Sequence, residues 1–143
     1  MHLRATNVDD IAAMHRVRTS VRENALGDPA RIGPEDYRRM LSREGAGFVC
    51  EVDGEVVGFA IGDLARSNVW ALFVDPRHER RGIGRRLLDA LLASMFAAGA
   101  DRVWLSTARG TRAERFYRAA GWRETGTEPS GEVRFEISRA RPS

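Results

Sequence analysis

The chain contains no lysine, and all 23 of its basic residues are arginine. The absence of lysine excludes enzymes that form a Schiff base through a lysine, and it excludes nucleotide-binding P-loops, which need one. Each basic group is instead a planar, permanently charged guanidinium that suits phosphate groups. Because 20 acidic residues reduce the net charge to +3, the charge total does not by itself indicate nucleic-acid binding.

Cysteine is almost absent as well. Cys50 is the only one, which excludes an internal disulfide and fits a reducing compartment. It lies in the strand-like segment Gly47–Val52, so a buried structural thiol is favoured over a nucleophile.

Long apolar runs are also missing. The longest mostly apolar stretch, Leu87–Ala100, is interrupted by Asp89 and is too short to span a membrane. Residues 1–10 lack the pattern of a secretory signal. We therefore expect a cytoplasmic protein without membrane association. The length of 143 residues, 43% hydrophobic and 30% charged, predicts a single globular domain over residues 1–143.

Apolar periodicity and turn residues predict alternating strands and helices. The predicted elements of the first half are a strand at His2–Ala5, a helix capped by Thr6 and Asp9 that runs to about Arg18, a helix at Pro34–Ser42, and strands at Gly47–Val52 and Glu55–Leu64 joined by a turn at Asp53-Gly54. Those of the second half are a strand at Val69–Val74, a helix from Gly82 to about Ala98, a strand at Val103–Ser106, a helix at Thr111–Ala120, and strands near Trp122–Thr125 and Glu132–Ile137. Together they predict a mixed sheet with helices on both faces.

The long helix predicted from Gly82 to about Ala98 begins with an unusual pattern of charges. The first backbone N–H groups of a helix are unpaired and its dipole is positive there, so acidic residues are usual in the first turn. This helix instead begins with Gly82 and Gly84 among four arginines, which are Arg80, Arg81, Arg85 and Arg86. A bound polyphosphate would resolve the repulsion, and the glycines would let it approach the backbone. The alternative is a solvated arginine cluster on a surface helix.

Two common polyphosphate sites do not fit. A dinucleotide fingerprint needs a third glycine where this chain has Leu87, and an acidic residue after the next strand, which here ends in Ser106-Thr107. The strand, arginine–glycine loop and helix resemble instead the GNAT superfamily of acyl-CoA-dependent N-acyltransferases, which carries Gln/Arg-x-x-Gly-x-Gly/Ala at this place. A second segment, Arg112–Trp122, is similar to that family's Ala-x-x-Phe-Tyr-x-x-x-Gly-Phe helix. The resemblance covers nearly the whole chain and is strongest from Val69 to Trp122.

The resemblance implies a GNAT-like α+β fold, with a mixed, mostly antiparallel sheet of six or seven strands and about four helices on both faces. It implies that strands Trp70–Val74 and Val103–Ser106 splay apart to admit the pantetheine arm of coenzyme A. The positions implied to bind the cosubstrate are Leu72, Phe73 and Val74 on the strand, and Arg80, Arg81, Gly82, Ile83, Gly84 and Arg85 at the helix start. Backbone N–H groups of Leu72 to Val74 would also polarise the thioester carbonyl.

Tyr117 occupies the family position of the acid that protonates the leaving thiolate. The alternative is that its ring only packs against Phe116. No general base stands out among the carboxylates considered, which are Glu23, Asp63 and Glu132, so ordered water is the default. The family implies acceptor contacts from the segment Val17 to Tyr37, including Arg18, Arg22, Glu23, Asn24 and Tyr37; for the polar run Arg22 to Asn24, a solvated turn is an equal alternative.

Two residues depart from the family pattern. Glu79 stands where the family has Gln or Arg, which weakens the positive field at the helix start. Gly110 replaces an asparagine, so contacts of that side chain cannot be transferred.

The function implied is transfer of an acetyl group from acetyl-CoA to a primary amine of a small-molecule acceptor, without a metal. No nucleic-acid or membrane partner is expected, and a homodimer is compatible with the resemblance. One alternative is a non-catalytic acyl-CoA-binding sensor of the same fold. Another is a nucleic-acid-binding module, which the interspersed acidic residues disfavour.

Overall fold

The computed structural model describes residues 1–21, 34–42 and 45–139. The strands are β1 (His2–Ala5), β2 (Gly45–Val52), β3 (Glu55–Asp63), β4 (Asn68–Val74), β5 (Arg102–Thr107), β6 (Arg123–Thr127) and β7 (Val133–Ser138). The α-helices are α1 (Ile11–Ser20), α2 (Pro34–Ser42), α3 (Ile83–Ala97) and α4 (Arg112–Ala119). None of the helices in these ranges is long and apolar enough to cross a membrane.

The strands form one seven-stranded sheet in the order β1-β2-β3-β4-β5-β7-β6. Every neighbouring pair is antiparallel except β4 and β5, which run parallel. Parallel neighbours need a long crossover, and α3 lies in the segment that connects them. The predicted mixed, mostly antiparallel GNAT-like sheet is confirmed.

Each face of the sheet has its own core. The α1–α2 face is filled by a cluster around Met14, Val17, Phe59 and Ile61. The other face packs α3 and α4 through a larger cluster. The predicted stripe of α3 lies in that cluster, and all four of its members are buried: Ile83, Leu87, Leu91 and Met95. The sheet is thus covered on both faces, as the pattern predicted.

The start of the first helical segment differs from its prediction. The capping residue is Asn7, whose side chain accepts from the N–H of Asp9, while Asp10 bonds back to the N–H of Asn7. A short 3-10 turn over Val8–Asp10 precedes α1. The predicted pair of Thr6 and Asp9 is therefore wrong by one position, because asparagine and aspartate also cap helices and the local sequence offers both registers.

Cys50 is fully buried in β2, and burial raises the pKa of its thiol. A nucleophilic cysteine needs its thiolate form and access to substrate. This position has neither feature, so the structural reading of Cys50 is confirmed.

Candidate active site

A cleft of about 800 Å³ lies beside the second half of β4. Its walls are the end of α1, the end of β4, the first turn of α3 and the start of α4. Among its lining residues are five of the predicted site positions: Leu72, Phe73, Val74, Gly84 and Tyr117. The fold therefore brings together side chains that lie up to 45 positions apart in the sequence.

One edge of β4 has almost no partner. Its other edge pairs with β3 through Phe73↔Phe59 and Val74↔Gly58. On the β5 side the registered pair is Asn68↔Trp104, at the start of β4. The predicted splay of these two strands is confirmed by this register, and it leaves backbone polar groups available to an extended ligand, as in strand addition.

A bulge lies where β4 begins to leave β5. Gly62 of β3 pairs with Val69 and the preceding Ile61 pairs with Ala71, so Trp70 is the extra residue. Bulges increase local twist and bend the strand that carries them. This one accounts for part of the divergence between β4 and β5.

The N-terminus of α3 has the open form that the sequence predicts. Gly82 precedes the helix with a φ of 78°, in the left-handed region that favours glycine. No side chain caps the helix and its first turn has no acidic residue. Its first hydrogen bond runs from the N–H of Arg86 to the carbonyl oxygen of Gly82, so the N–H groups of residues 83–85 have no helical partner.

The arginines around this terminus are mostly without counter-charges. Arg80, Arg81 and Arg85 are exposed, and Arg80 has a left-handed φ of 64°. Arg85 pairs with Asp89 one turn later, with Nε and Oδ1 3.2 Å apart. Among the described residues, the four arginines at this terminus form no other ion pair. The predicted excess of positive charge is therefore present in the folded protein.

Glu79 has a partner across the cleft, the guanidinium of Arg112 at the start of α4. Both residues line the cleft. Because Arg112 neutralises the carboxylate, Glu79 weakens the positive field less than an unpaired glutamate would.

Asp75 is a cleft residue that was not predicted from the sequence. It follows β4 directly, is buried, and accepts from the backbone N–H and the Nη2 of Arg77, both at 2.9 Å. Hydrogen bonding to the Arg77 side chain lowers the pKa of this carboxyl, so it is a poor proton acceptor at neutral pH. The available signal was its position at the end of an apolar strand, before Pro76 and Arg77.

Tyr117 is both a core residue and part of the cleft wall. Its side chain is 7% exposed and its ring centroid lies 5.2 Å from that of Phe116 and 5.5 Å from that of Trp122. In the described part of the chain its hydroxyl has no hydrogen-bond partner. Burial raises its pKa, so the phenol keeps its proton at neutral and mildly alkaline pH.

None of the predicted acceptor residues Arg22, Glu23, Asn24 and Tyr37 is found in the cleft of the described structure. Arg22, Glu23 and Asn24 lie outside the described residues. Tyr37 is fully buried on the α1–α2 face, with its ring edge-on to Trp70 at 5.5 Å. It does not line the cleft, so this position gives no support to a contact with the acceptor.

The end of α1 supplies cleft walls, partly within the segment Val17 to Tyr37 that the family resemblance implied for the acceptor. Arg16, Ser20 and Val21 line the cleft there. Of the carboxylates considered as bases, Asp63 accepts from backbone N–H groups in the turn after β3. Glu132 lines a separate cavity of about 520 Å³ beside Trp104. Neither lies in the main cleft, and the described residues hold no group of three or more potential metal ligands.

A model of the acetyltransferase (GNAT) family matches residues 12–122, which is most of the chain and includes the cleft. The chain belongs to the GNAT family. The family assignment from the two motifs is confirmed.

Two curated relatives overlap this chain in part. A mycothiol acetyltransferase of Clavibacter michiganensis is 39% identical over 90 residues, which cover 55% of this chain and 29% of that protein. An uncharacterised N-acetyltransferase of Mycobacterium tuberculosis is 34% identical over 79 residues, covering 52% of this chain and 51% of that protein. The chain therefore spans only about a third to a half of these GNAT relatives.

A solved structure matches nearly the whole length. The PaiA N-acetyltransferase of Thermoplasma acidophilum, crystallised with coenzyme A, has a TM-score of 0.85 at 16% identity, covering 96% of this chain and 98% of that one. At this identity the likeness shows that the GNAT fold is shared.

Proposed function

We propose that this GNAT chain transfers an acetyl group from acetyl-CoA to a primary amine of a small-molecule acceptor, by direct attack of the amine on the thioester. The observation that carries the proposal is the open edge of β4, which lies in one cleft with an uncapped helix start and a buried tyrosine. The relatives named acetyltransferases support turnover over the sensor alternative.

The start of α3 fits the diphosphate of coenzyme A. Its unpaired N–H groups and dipole favour an anion, and its exposed arginines supply further positive charge. A Cβ on Gly82 would meet no atom within 4 Å, so glycine is required here by the left-handed backbone conformation and not by crowding. The space next to it is open to a ligand. The cosubstrate fits the residues that are present.

The edge of β4 would hold the pantetheine arm. Leu72, Phe73 and Val74 line the cleft directly before the loop that leads to α3. Backbone groups here are fixed on their other side by β3. A fixed N–H that faces the thioester oxygen stabilises the negative charge that develops there, because it needs no reorganisation during the reaction.

The reaction forms one bond and breaks one. The amine nitrogen attacks the carbonyl carbon, a C–N bond forms, and the carbonyl electron pair moves to oxygen. The intermediate collapses, the C–S bond breaks, and sulfur leaves with the electron pair. The proton lost by the nitrogen passes to water, and the thiolate takes one from the Tyr117 hydroxyl, which regains a proton from water. The products are an amide and a free thiol.

Burial defines how Tyr117 acts. Since its pKa is raised above that of an ordinary thiol, about 8.5, complete proton transfer to sulfur would be uphill. The neutral hydroxyl therefore acts first as a hydrogen-bond donor to the leaving sulfur, and the stabilisation grows as charge develops. A donor without another partner in the described chain suits this role.

A thiol-release assay tests the proposal. Purified protein is incubated with acetyl-CoA and a panel of primary amines, and free thiol and acetylated amine are measured together. We expect thiol release that depends on an amine, with one amide formed per thiol. Binding of acetyl-CoA without amine-dependent release across the panel would instead favour the sensor.

A further inference from the structure

Arg18 occupies an unexpected position on α1. The buried face of this helix includes Ile11, Met14 and Val17, and Arg18 follows Met14 by four residues, so it lies on the same sheet-facing stripe. An apolar residue is usual at such a position. The side chain is half-buried, and its guanidinium carbon lies 4.8 Å from the centroid of the Phe73 ring.

This cation has no counter-charge in the described ranges. No carboxylate there pairs with Arg18, and its Nη1 is buried without a hydrogen-bond partner. Arg18 does interact with the hydroxyl of Tyr37. Burial raises the pKa of that hydroxyl, and the positive charge of Arg18 and a hydrogen bond to its side chain lower it to a smaller degree. A neutral phenol does not balance a guanidinium charge.

Buried polar atoms are almost always paired, and buried charges need partners more strongly than neutral groups. The other orphaned buried nitrogen in the described chain is the indole Nε1 of Trp122. That group is neutral and lies in the aromatic cluster around Tyr117. Leaving the Nη1 of Arg18 unpaired therefore costs more free energy than leaving the Nε1 of Trp122 unpaired.

The position of Arg18 connects it to the cleft. Phe73, on which it stacks, lines the cleft, and so do Ser20 and Val21 at the end of the same helix. Arg18 itself does not line the cleft, so an anion bound in the cleft would meet it beside Phe73, on the α1 side. An anion that reached it would lie close to the β4 edge where the thioester is proposed to bind.

Arg16 offers a direct comparison on the same helix. It also lines the cleft, but its side chain is 56% exposed and lies 3.6 Å from the Oε1 of Glu55. It also donates to the carbonyl oxygen of Val56. Its charge is solvated and partly paired, so Arg16 does not require a further anionic partner, whereas Arg18 does.

We infer that Arg18 binds a carboxylate of the substrate that fills the α1 end of the cleft. A carboxylate matches one planar cation in charge and geometry, whereas a phosphate dianion would leave an excess negative charge beside the ring of Phe73. The inference rests on the proposed function and narrows it. The carboxylate belongs either to an amino-acid-like acceptor or to the acyl chain of a dicarboxylic acyl-CoA.

The acceptor source is tested with matched ligands. Each L-amino acid, β-alanine and γ-aminobutyrate is compared with its own carboxamide, by melting-temperature shift in the presence of coenzyme A and by kcat/KM with acetyl-CoA. We expect wild-type protein to prefer at least one carboxylate over its amide by about tenfold or more, the strength of one charge-assisted pair. Arg18→Met should abolish that preference, and Arg16→Met should keep it.

The acyl source is tested by comparing succinyl-CoA with butyryl-CoA, which has the same chain length without the charge. A preference for succinyl-CoA that Arg18→Met removes would place the carboxylate on the donor. Arg18→Met is also expected to melt at the same temperature as wild type or higher, because it removes an unpaired, half-buried charge. A purely structural role would lower the melting temperature.

The outcomes separate this inference from the proposed function. The inference is overturned if wild type shows no carboxylate preference in either arm, or if Arg18→Met keeps the preference. If acetyl transfer occurred only to amines without a carboxylate, the inference about Arg18 would be wrong and the proposed function would still hold. A carboxylate-dependent melting shift that Arg18→Met removes, with no transfer to any amine, would support the inference and contradict the function.

Discussion

Asn68 and Trp104 hold β4 and β5 together at one end of their gap. They are in register, the Nδ2 of Asn68 donates to the carbonyl oxygen of Trp104 over 3.1 Å, and the N–H of Trp104 donates to the carbonyl oxygen of Ser67 over 2.9 Å. Beyond this clasp the strands part. The clasp therefore sets the limit to which an extended ligand can follow β4.

Removal of the Tyr117 hydroxyl tests its role in the reaction. We expect Tyr117→Phe to lower kcat by roughly 100-fold, the usual contribution of a positioned acid. The affinity for coenzyme A should change little, because the ring and its aromatic packing remain. Steady-state kinetics and calorimetric binding are the measurements.

Tyr37→Phe is the matched control, since it also removes one hydroxyl from a buried tyrosine but outside the cleft. Because its hydroxyl interacts with Arg18, it is assayed with an acceptor that carries no carboxylate, and there it should leave kcat within about twofold of wild type. Equal losses in the two variants would assign Tyr117 to packing alone.

A carboxylate at the start of α3 should block the cosubstrate. A Cβ on Gly84 would lie 3.6 Å from the Cγ2 of Val74 and 3.7 Å from the Phe116 ring, which is ordinary contact. Gly84→Glu should therefore fold, and a negative charge in the first helical turn favours stability. Like-charge contact costs several kcal/mol, so coenzyme A affinity should fall by roughly 100-fold or more.

Ala93→Glu adds the same charge at an exposed position of the same helix and should bind coenzyme A like wild type. Melting temperatures of both variants show whether they fold. A folded Gly84→Glu protein with unchanged affinity would place the anion elsewhere.

The arginines before α3 should act on the phosphates only. The double substitution Arg80→Ser and Arg81→Ser should raise the KM for acetyl-CoA by about tenfold, a few tenths to one kcal/mol for each exposed charge. It should not alter the KM for S-acetylpantetheine, which lacks the diphosphate. Arg123→Ser, an exposed arginine on β6, is the control. Equal effects on both donors would contradict a phosphate-binding role.

The pH dependence follows from the sign of the Tyr117 shift. Because its pKa is raised by burial, the hydroxyl stays protonated past the ordinary tyrosine value of about 10. The rate should rise with pH as the acceptor amine loses its proton and should not fall between pH 8 and 10. A descending limb below pH 9 that is absent in Tyr117→Phe would show a phenol of lowered pKa instead.

Local signals predicted the elements and the helix start well. Several features are specified by residues close together in the sequence. They are the hairpin at Asp53-Gly54, the apolar stripe from Ile83 to Met95, and the helix start at Gly82 and Gly84. Motif spacing then added the family, and through it the splay of β4 from β5. These features depend on short-range backbone chemistry, which a single sequence displays.

The rest depends on contacts between distant segments. The pairing of Glu79 with Arg112, the burial of Tyr37 and the stacking of Arg18 on Phe73 each join residues from different elements. No local pattern specifies such pairs. Arg18 did carry two signals in the sequence: it lies in the segment that the family implies for acceptor contacts, and it is a charge on the apolar stripe that begins at Ile11 and Met14. Its stacking on Phe73 depends on the sheet beneath it.

The most direct test is a calorimetric titration of the wild-type protein with coenzyme A at low and moderate salt. We predict saturable heat at one site, weaker affinity as salt rises because phosphate contacts are screened, and a higher melting temperature for the complex. An absence of both heat and melting shift at millimolar ligand would contradict a diphosphate site at the start of α3, and with it the proposed transfer reaction.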